Sequence, residues 1–147
     1  MRKFILFLFL PLLAGGMFTA ANAQQQAENQ QKWTIENCVA TLDPAKGQPT
    51  KAGYQFWFAD KDFTGDGRTL KMSVVAPRKA THAPHQHAED EFFFVVEGTA
   101  KFYLNGDSIT AKPYTTFYAP PHSLHGIANA GDTEMKYLVV KKYNLNP

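Results

Sequence analysis

Residues 85–98 read HQHAEDEFFFVVEG, in which two histidines and a glutamate lead into an apolar strand. Residues 92–96 are all apolar, whereas a strand with one face in water would alternate apolar and polar side chains. Both faces of this strand are therefore expected to be covered. Successive side chains point to opposite faces of a strand, which gives two sets, Glu91, Phe93 and Val95 on one face and Phe92, Phe94 and Val96 on the other.

The same alternation brings the polar residues of this stretch together. His85 and His87 are two positions apart, so on an extended segment they project to one face. Glu91 is an even number of residues further along and joins them if the strand stays regular. If this face points into a barrel, the opposite face is covered either by other strands or by a partner subunit, so a homodimer is one expectation.

All five histidines of the chain fall into two clusters, residues 82–87 and residues 122–125. His125 would have to reach the first cluster from a distant segment, which a barrel readily provides. Three imidazoles and one carboxylate suit a divalent transition metal ion. Nitrogen and oxygen ligands alone leave Fe, Mn, Ni, Cu and Zn all open. These side chains are therefore candidates for one metal site.

The rest of the chain is typical of β-structure, because helix signals are nearly absent beyond residue 33 and short β-rich runs alternate with Pro, Gly and Asn. Asn105-Gly106 is a strong signal for a two-residue hairpin turn, since both positions of that turn need positive φ. These signals predict an all-β sandwich or barrel. The predicted strands are residues 33–41, 54–58, 70–76, 91–97, 100–104, 108–110, 115–119, 126–128 and 135–143.

Two motifs resemble those of the cupin family and together span residues 84–129. The first follows the spacing H-x-H-x3-E-x6-G, on His85, His87, Glu91 and Gly98. The second follows the spacing P-x4-H-x3-N, on Pro120, His125 and Asn129. The resemblance implies a single-domain double-stranded β-helix, the cupin jelly-roll barrel, which holds one divalent metal ion through His85, His87, Glu91 and His125.

The sequence departs from the second motif at Tyr114 and His122, where cupins usually have glycine. Both changes are expected to alter the loop geometry near the second-motif histidine without removing a ligand. His122 could be a general base, a polar group at the mouth of the site or a solvated loop residue, and Glu91 is the other candidate catalytic residue. Gly98 is expected to serve the turn after the strand, since glycine allows positive φ. His82 is expected at the rim of the site or on the surface.

Four protein ligands around a six-coordinate ion would leave two positions for water, dioxygen or a substrate oxygen, which favours a small-molecule enzyme over a closed structural site. The resemblance implies two branches, a dioxygenase on an aromatic or enol substrate and an isomerase or lyase on a sugar acid. The alternative is a metal-dependent small-molecule or carbohydrate binding protein without turnover. Candidate pocket liners, most of which are expected to be core residues, are Phe56, Trp57, Phe58, Phe93, Phe102, Phe117 and Tyr118.

The N-terminus has the layout of a secretory signal peptide. Arg2 and Lys3 precede an uncharged stretch at residues 4–13, and Ala21-Asn22-Ala23 is an A-x-A cleavage site. The apolar stretch is shorter than the ~20 residues that a membrane-spanning helix needs, so no membrane anchor is expected. Export to the periplasm or beyond then gives three segments, a cleaved signal peptide at 1–23, a disordered glutamine-rich leader at 24–32 and the domain at 33–147.

The charge balance does not favour a nucleic-acid partner. The chain has 15 Lys and Arg against 13 Asp and Glu, and loss of Arg2 and Lys3 with the signal peptide leaves 13 of each. A balanced and scattered charge gives no electrostatic reason to bind a polyanion. Lys141 and Lys142 are interpreted as a solvated strand end. The single cysteine, Cys38, is interpreted as a buried thiol, and it can make no disulfide within the chain.

Overall fold

The computed structural model of the chain describes residues 22–24 and 33–145. The predicted signal peptide and leader lie almost entirely outside the described residues. The chain divides into two units, Met1–Ala40 and Thr41–Pro147, and every described strand belongs to the second. In the described part of the chain, no helix has the length and apolar composition that crossing a bilayer requires. The domain start at residue 33 stays a prediction.

The predicted strand at residues 33–41 is wrong. Ile35–Cys38 forms one turn of α-helix, α1, because Thr34 and Asn37 cap it reciprocally. The Thr34 hydroxyl accepts a hydrogen bond from the backbone N–H of Asn37, and the Asn37 side chain accepts one from the backbone N–H of Thr34. This local cap outweighs the β-propensity of the segment. Cys38 is exposed, like the rest of this short turn, so its interpretation as a buried thiol is wrong.

The second unit contains a 3-10 helix, Pro44–Lys46, and nine strands in its described residues. The other eight predicted runs all correspond to strands, with boundaries within two residues. The strand that the sequence did not predict, β1, is three residues long, contains Pro49 and pairs only with β2. The strands are β1 Gln48–Thr50, β2 Gly53–Ala59, β3 Arg68–Val75, β4 Glu91–Glu97, β5 Ala100–Leu104, β6 Asp107–Ala111, β7 Thr116–Ala119, β8 His125–Asn129 and β9 Met135–Lys142.

The strands form two antiparallel sheets, a six-stranded sheet in the order β1-β2-β3-β9-β4-β7 and a three-stranded sheet in the order β6-β5-β8. The two sheets share one core, in which Phe93, Val95 and Tyr137 of the larger sheet belong to the same cluster as Phe102 and Ile127 of the smaller. The all-β prediction is confirmed. Within the described residues, ladder hydrogen bonds do not close the sheets into one continuous barrel.

Strand β4 has one buried face and one partly exposed face. The face formed by Glu91, Phe93 and Val95 is buried, as predicted. Phe92 on the other face is 47% exposed, so the expectation that both faces are covered is wrong within this chain. Phe92 lies in register between Val140 and Tyr118, which are also exposed. These three residues form an apolar row on the outer face of the sheet, and a homodimer that covers it stays a prediction.

Two glycine turns fix the small sheet. The hairpin between β5 and β6 turns at Asn105 and Gly106, with φ of 49° and 106°, which confirms the predicted turn. Gly98, between β4 and β5, has φ of 88°. A Cβ atom there would lie 2.8 Å from both the carbonyl oxygen of Glu134 and the Cα of Met135. Gly98 therefore serves the turn and its close packing, as expected.

Asn129, the last residue of the second motif, holds the end of β8 in place. Its buried Nδ2 group donates to the carbonyl oxygens of Val75, Ala76 and Thr133, at 3.0, 3.1 and 2.7 Å. Its Oδ1 accepts a hydrogen bond from the N–H of Gly131 at 2.9 Å. Asn129 thus ties β8 to the end of β3 and to the loop before β9, which is a structural role.

Gly98→Ala is expected to lower the free energy of unfolding by about 2–4 kcal/mol, because a left-handed φ is combined with a backbone clash. Gly65→Ala is the matched control: Gly65 also has positive φ, at 77°, but a Cβ atom there has nothing within 4 Å. The control is expected to lose only about 1 kcal/mol. Urea denaturation of both variants measures the difference. Equal losses would mean that close packing at Gly98 is unimportant.

Candidate metal centre

Backbone pairing brings the two histidine clusters together. His85 and His87 lie in the segment between β3 and β4, and His125 begins β8. His85 and His125 each donate a backbone N–H to the carbonyl oxygen of the other, at 2.9 and 3.0 Å. The N–H of His122 also donates to the carbonyl oxygen of His87, at 2.8 Å. As a result, one ligand atom from each of His85, His87 and His125 lies within 4.8 Å of the others.

The hydrogen bonds of two of these rings determine which nitrogen faces the site. Nδ1 of His87 lies 2.7 Å from the carbonyl oxygen of Glu89, and Nδ1 of His125 lies 2.9 Å from that of Ser123. A carbonyl oxygen only accepts hydrogen bonds, so both Nδ1 atoms carry a proton and both Nε2 atoms of the neutral rings have a free lone pair. Fixing the tautomer in this way is what metal-ligating histidines usually require.

The site-facing nitrogens have no hydrogen-bond partner. Within the described residues, Nδ1 of His85 and Nε2 of both His87 and His125 are buried and unpaired. An unpaired buried polar atom costs about 1–3 kcal/mol. One metal ion would satisfy all three nitrogens at once, so the residues present fit a metal ion as the bound group.

Glu91 borders the three histidines from the inner face of β4. Its Oε1 lies 3.5 Å from Nε2 of His87, and its Oε2 lies 3.4 Å from Nε2 of His125. The structure therefore brings the four predicted side chains together, with three imidazoles in one group and the carboxylate beside it. The role of Glu91 as the fourth ligand stays a prediction.

Lys141 is a site residue that the sequence interpretation missed. Its side chain is only 8% exposed, and its Nζ lies 3.3 Å from Oε1 of Glu91 and 3.5 Å from Oε2 of Glu89. The interpretation as a solvated strand end is therefore wrong for Lys141, although it is correct for the exposed Lys142. Strand alternation could have revealed this, because every second residue of β9 from Met135 onward is buried and Lys141 continues that series.

The environment of His85 favours its neutral form. Burial lowers the pKa of His85, and the neighbouring His82 and His125 lower it further. A neutral imidazole is the form that binds a metal ion. His82 is exposed and its ring packs edge-on against that of His85, with centroids 4.5 Å apart. This position agrees with the expected place of His82 at the rim.

Both departures from the second motif keep the backbone conformation that glycine would allow. His122 and Tyr114 have φ of 59° and 66°, in the left-handed region. Glycine adopts this region readily, and the expectation that these changes alter the loop geometry stays a prediction. The left-handed region is accessible to histidine more often than to most residues. His122 is exposed, and its catalytic role stays a prediction that this exposure does not favour.

The predicted aromatic liners divide into separate groups. Three pack in the main core, namely Phe93, Phe102 and Phe117. Two pack in a second, smaller cluster, namely Phe56 and Phe58. Tyr118 is exposed, and Trp57 lies opposite Lys71 in the pairing of β2 with β3. Most of these residues therefore fill the core, as the sequence led us to expect.

Residues 71–141 match the Cupin_2 family, a family of cupin domains. An uncharacterized protein of Methanocaldococcus jannaschii is 25% identical over 76 residues, which make up 52% of this chain and 61% of that protein. The chain thus spans about three fifths of the length of the curated relative that it matches.

Solved structures share the fold. A cupin 2 conserved barrel domain protein from Salinispora arenicola matches with a TM-score of 0.61 and 21% identity, over 71% of this chain and 87% of that chain. A predicted oxalate decarboxylase from Thermotoga maritima matches with a TM-score of 0.61 and 16% identity, over 71% and 100% of the two chains. These similarities confirm the jelly-roll fold. At such low identity they do not extend to activity or ligands. Together with the family match, they show that residues 71–141 form a cupin domain.

Proposed function

We propose that this cupin is a metal-dependent enzyme acting on a small molecule, with one divalent metal ion held by His85, His87, Glu91 and His125. One observation carries the proposal: three buried imidazole nitrogens without a hydrogen-bond partner converge within 4.8 Å. A bound ion would supply a Lewis acid for a substrate oxygen or an electron source for dioxygen. The donor set leaves Fe, Mn, Ni, Cu and Zn as candidates.

The pair formed by Glu91 and Lys141 supports catalysis over binding alone. A buried carboxylate and a buried ammonium group lie 3.3 Å apart beside the three histidines. Such a pair, placed beside the three histidines, can accept a proton from a substrate and return it elsewhere. The sequence had offered no obvious acid–base pair, so this contact adds a reason to favour an enzyme.

Two reaction classes fit the proposal, an isomerase or lyase on a sugar acid and a dioxygenase on an aromatic or enol substrate. The Glu91–Lys141 contact favours the isomerase or lyase, because the central step of these reactions moves a proton between substrate atoms. Fold similarity does not decide between them, since one fold hosts many chemistries.

A metal-dependent binding protein without turnover is the second candidate function. The exposed position of His122 favours it, because a histidine that lies in solvent does not act as a general base on a bound substrate. A screen for turnover with the metal-loaded protein separates the two candidates.

We also propose that the protein is exported and that residues 1–23 are removed. The support is the sequence of that segment, with Arg2 and Lys3 before a short apolar stretch and Ala21-Asn22-Ala23 at its end. Export would place the site where it meets small molecules from outside the cell.

The purified protein is expected to contain about one divalent transition metal ion per chain, as measured by elemental analysis. His125→Ala removes a fully buried imidazole and is expected to lower metal affinity by at least about tenfold. His122→Ala is the matched control, a nearby but exposed histidine, and should keep the metal. Adding metal at 100 times its Kd should stabilise the metal-free wild-type protein by about 2.7 kcal/mol. If the His125→Ala variant keeps the metal content and stability of the wild-type protein, the proposed metal site is wrong.

Lys141→Met is expected to reduce turnover by about a hundredfold or more, since it removes one member of the proposed proton-transfer pair. Metal content should stay at the wild-type level. The adjacent and exposed Lys142→Met is the control and should retain full activity. Oxygen uptake with catechols and enols, and NMR spectroscopy of sugar acids, provide the assays. Substrates that bind to the wild-type protein but are never converted would favour the binding protein instead.

Expression of the full-length chain in a Gram-negative host is expected to give a periplasmic protein that begins at Gln24. Intact-mass spectrometry of the periplasmic fraction tests the cleavage site. Ala23→Asp should block processing, because signal peptidases need small residues at this position. A cytoplasmic product that retains residues 1–23 would contradict export.

A further inference from the structure

We propose that Lys71 is a substrate-binding residue, which pairs with a carboxylate of the small molecule bound beside the metal-binding histidines. The proposal rests on the proposed function, because it names the class of molecule that the same site receives. It assigns a specificity role to Lys71 and predicts that the ligand is a small organic acid.

The strand register places Lys71 on the inner face of the large sheet. Thr69 pairs with Lys141, and Lys71 pairs with Val139. Glu91 pairs with Lys141 from the other side. Directly paired residues share a face, and residues two positions apart along a strand share it as well. Lys71 therefore stands on the same face as Lys141 and Glu91, one diagonal step from Lys141.

Lys71 has no carboxylate partner, unlike Lys141. Its Nζ lies over the ring of Trp57, 5.0 Å from the ring centroid. Among the described residues, no acidic side chain forms an ion pair with it, whereas Lys141 contacts both Glu89 and Glu91. The side chain is half-buried. A partly desolvated ammonium group without a counter-ion is unfavourable, so an anionic ligand would stabilise it.

The electrostatics of Lys71 agree with this geometry. Burial lowers the pKa of Lys71, and the positive charge of Lys141 acts in the same direction, while Glu91 opposes both. Lys71 therefore belongs to the same group of interacting charges as Lys141 and Glu91.

Trp57 restricts the position of the Lys71 ammonium group. The indole N–H donates to Oε1 of Gln48 at 3.2 Å, and the side-chain amide of Gln55 donates to the same oxygen at 3.1 Å. These bonds fix the ring over which the ammonium group lies. The ammonium group has three N–H donors, so a contact with the ring face still leaves hydrogens to donate to a carboxylate.

Charge favours a carboxylate over a dianionic phosphate. Lys141 is neutralised by its two glutamates, so Lys71 is the lysine on this face without a partner among the described residues. One ammonium group matches one carboxylate, whereas a phosphate usually needs several donors. A phosphate-bearing ligand is thus one of the alternatives that the experiment tests.

The test compares the wild-type protein with Lys71→Met, Lys71→Gln and Lys71→Arg, and uses Lys101→Met as the control. Lys101 is an exposed lysine on β5 without an ion pair in the described part of the chain. Calorimetry measures binding of galacturonate, galactose and galactose 6-phosphate, and of benzoate and benzyl alcohol. Circular dichroism and metal content are recorded for every variant, so a folding defect or metal loss is seen separately.

The wild-type protein should bind at least one carboxylate about tenfold or more tightly than its uncharged counterpart, the strength of one charge-assisted hydrogen bond. Lys71→Met and Lys71→Gln should both lose this preference, Lys71→Arg should keep it within about threefold, and Lys101→Met should match the wild type. Metal content should be the same in all five proteins.

Three results would overturn the proposal: no preference for carboxylates in the wild-type protein, a preference for galactose 6-phosphate over galacturonate, or an undiminished preference in a folded Lys71→Met or Lys71→Gln variant. If the wild-type protein contains no metal, the proposed function fails instead. The carboxylate preference is then still measured on the metal-free protein, so the two failures are distinguishable.

Discussion

The two backbone hydrogen bonds between His85 and His125 are the constraint on which the site depends. They join the segment before β4 to the first residue of β8, which is itself held to β5 by the pairing of His125 with Leu104. The bridge sets the imidazoles of His85 and His125 side by side, with centroids 4.9 Å apart. His87 follows two positions later, and its ring lies 4.7 Å from that of His125. Backbone pairing therefore assembles the three imidazoles, whose converging nitrogens have no hydrogen-bond partner among the described residues.

Glu89 completes this arrangement through two different groups. Its carbonyl oxygen accepts the Nδ1 proton of His87, and its carboxylate contacts Lys141. Lys141 in turn contacts Glu91, which borders the histidines. Glu89 thus links the orientation of the His87 ring to the positions of the buried Lys141 and Glu91 side chains. A site whose supporting contacts are already formed loses less entropy when its ligand binds.

The sequence predicted what depends on strand alternation and turn chemistry, and it missed what depends on the surrounding packing. Strand β4 and the Asn105-Gly106 turn were predictable because periodicity and positive φ are local properties. Phe92 was not, because an apolar run does not reveal whether another layer covers it. Lys141 and Lys142 are adjacent lysines at the end of a strand. Only the alternation of buried residues along β9 shows that Lys141 is buried while Lys142 is exposed. The helix turn α1 depends on a side-chain cap that competes with the β-propensity of the segment.

The charges on the inner face link the proposed metal ion to the proposed carboxylate ligand. Lys71, Lys141, Glu89 and Glu91 sum to zero when the histidines are neutral, so a divalent metal ion leaves a net charge of +2 on this face. In a partly buried site that charge is screened less than at the surface. An entering carboxylate reduces that net charge, and among the described residues no glutamate forms an ion pair with Lys71. A metal ion and a carboxylate ligand would therefore each be favoured by the presence of the other.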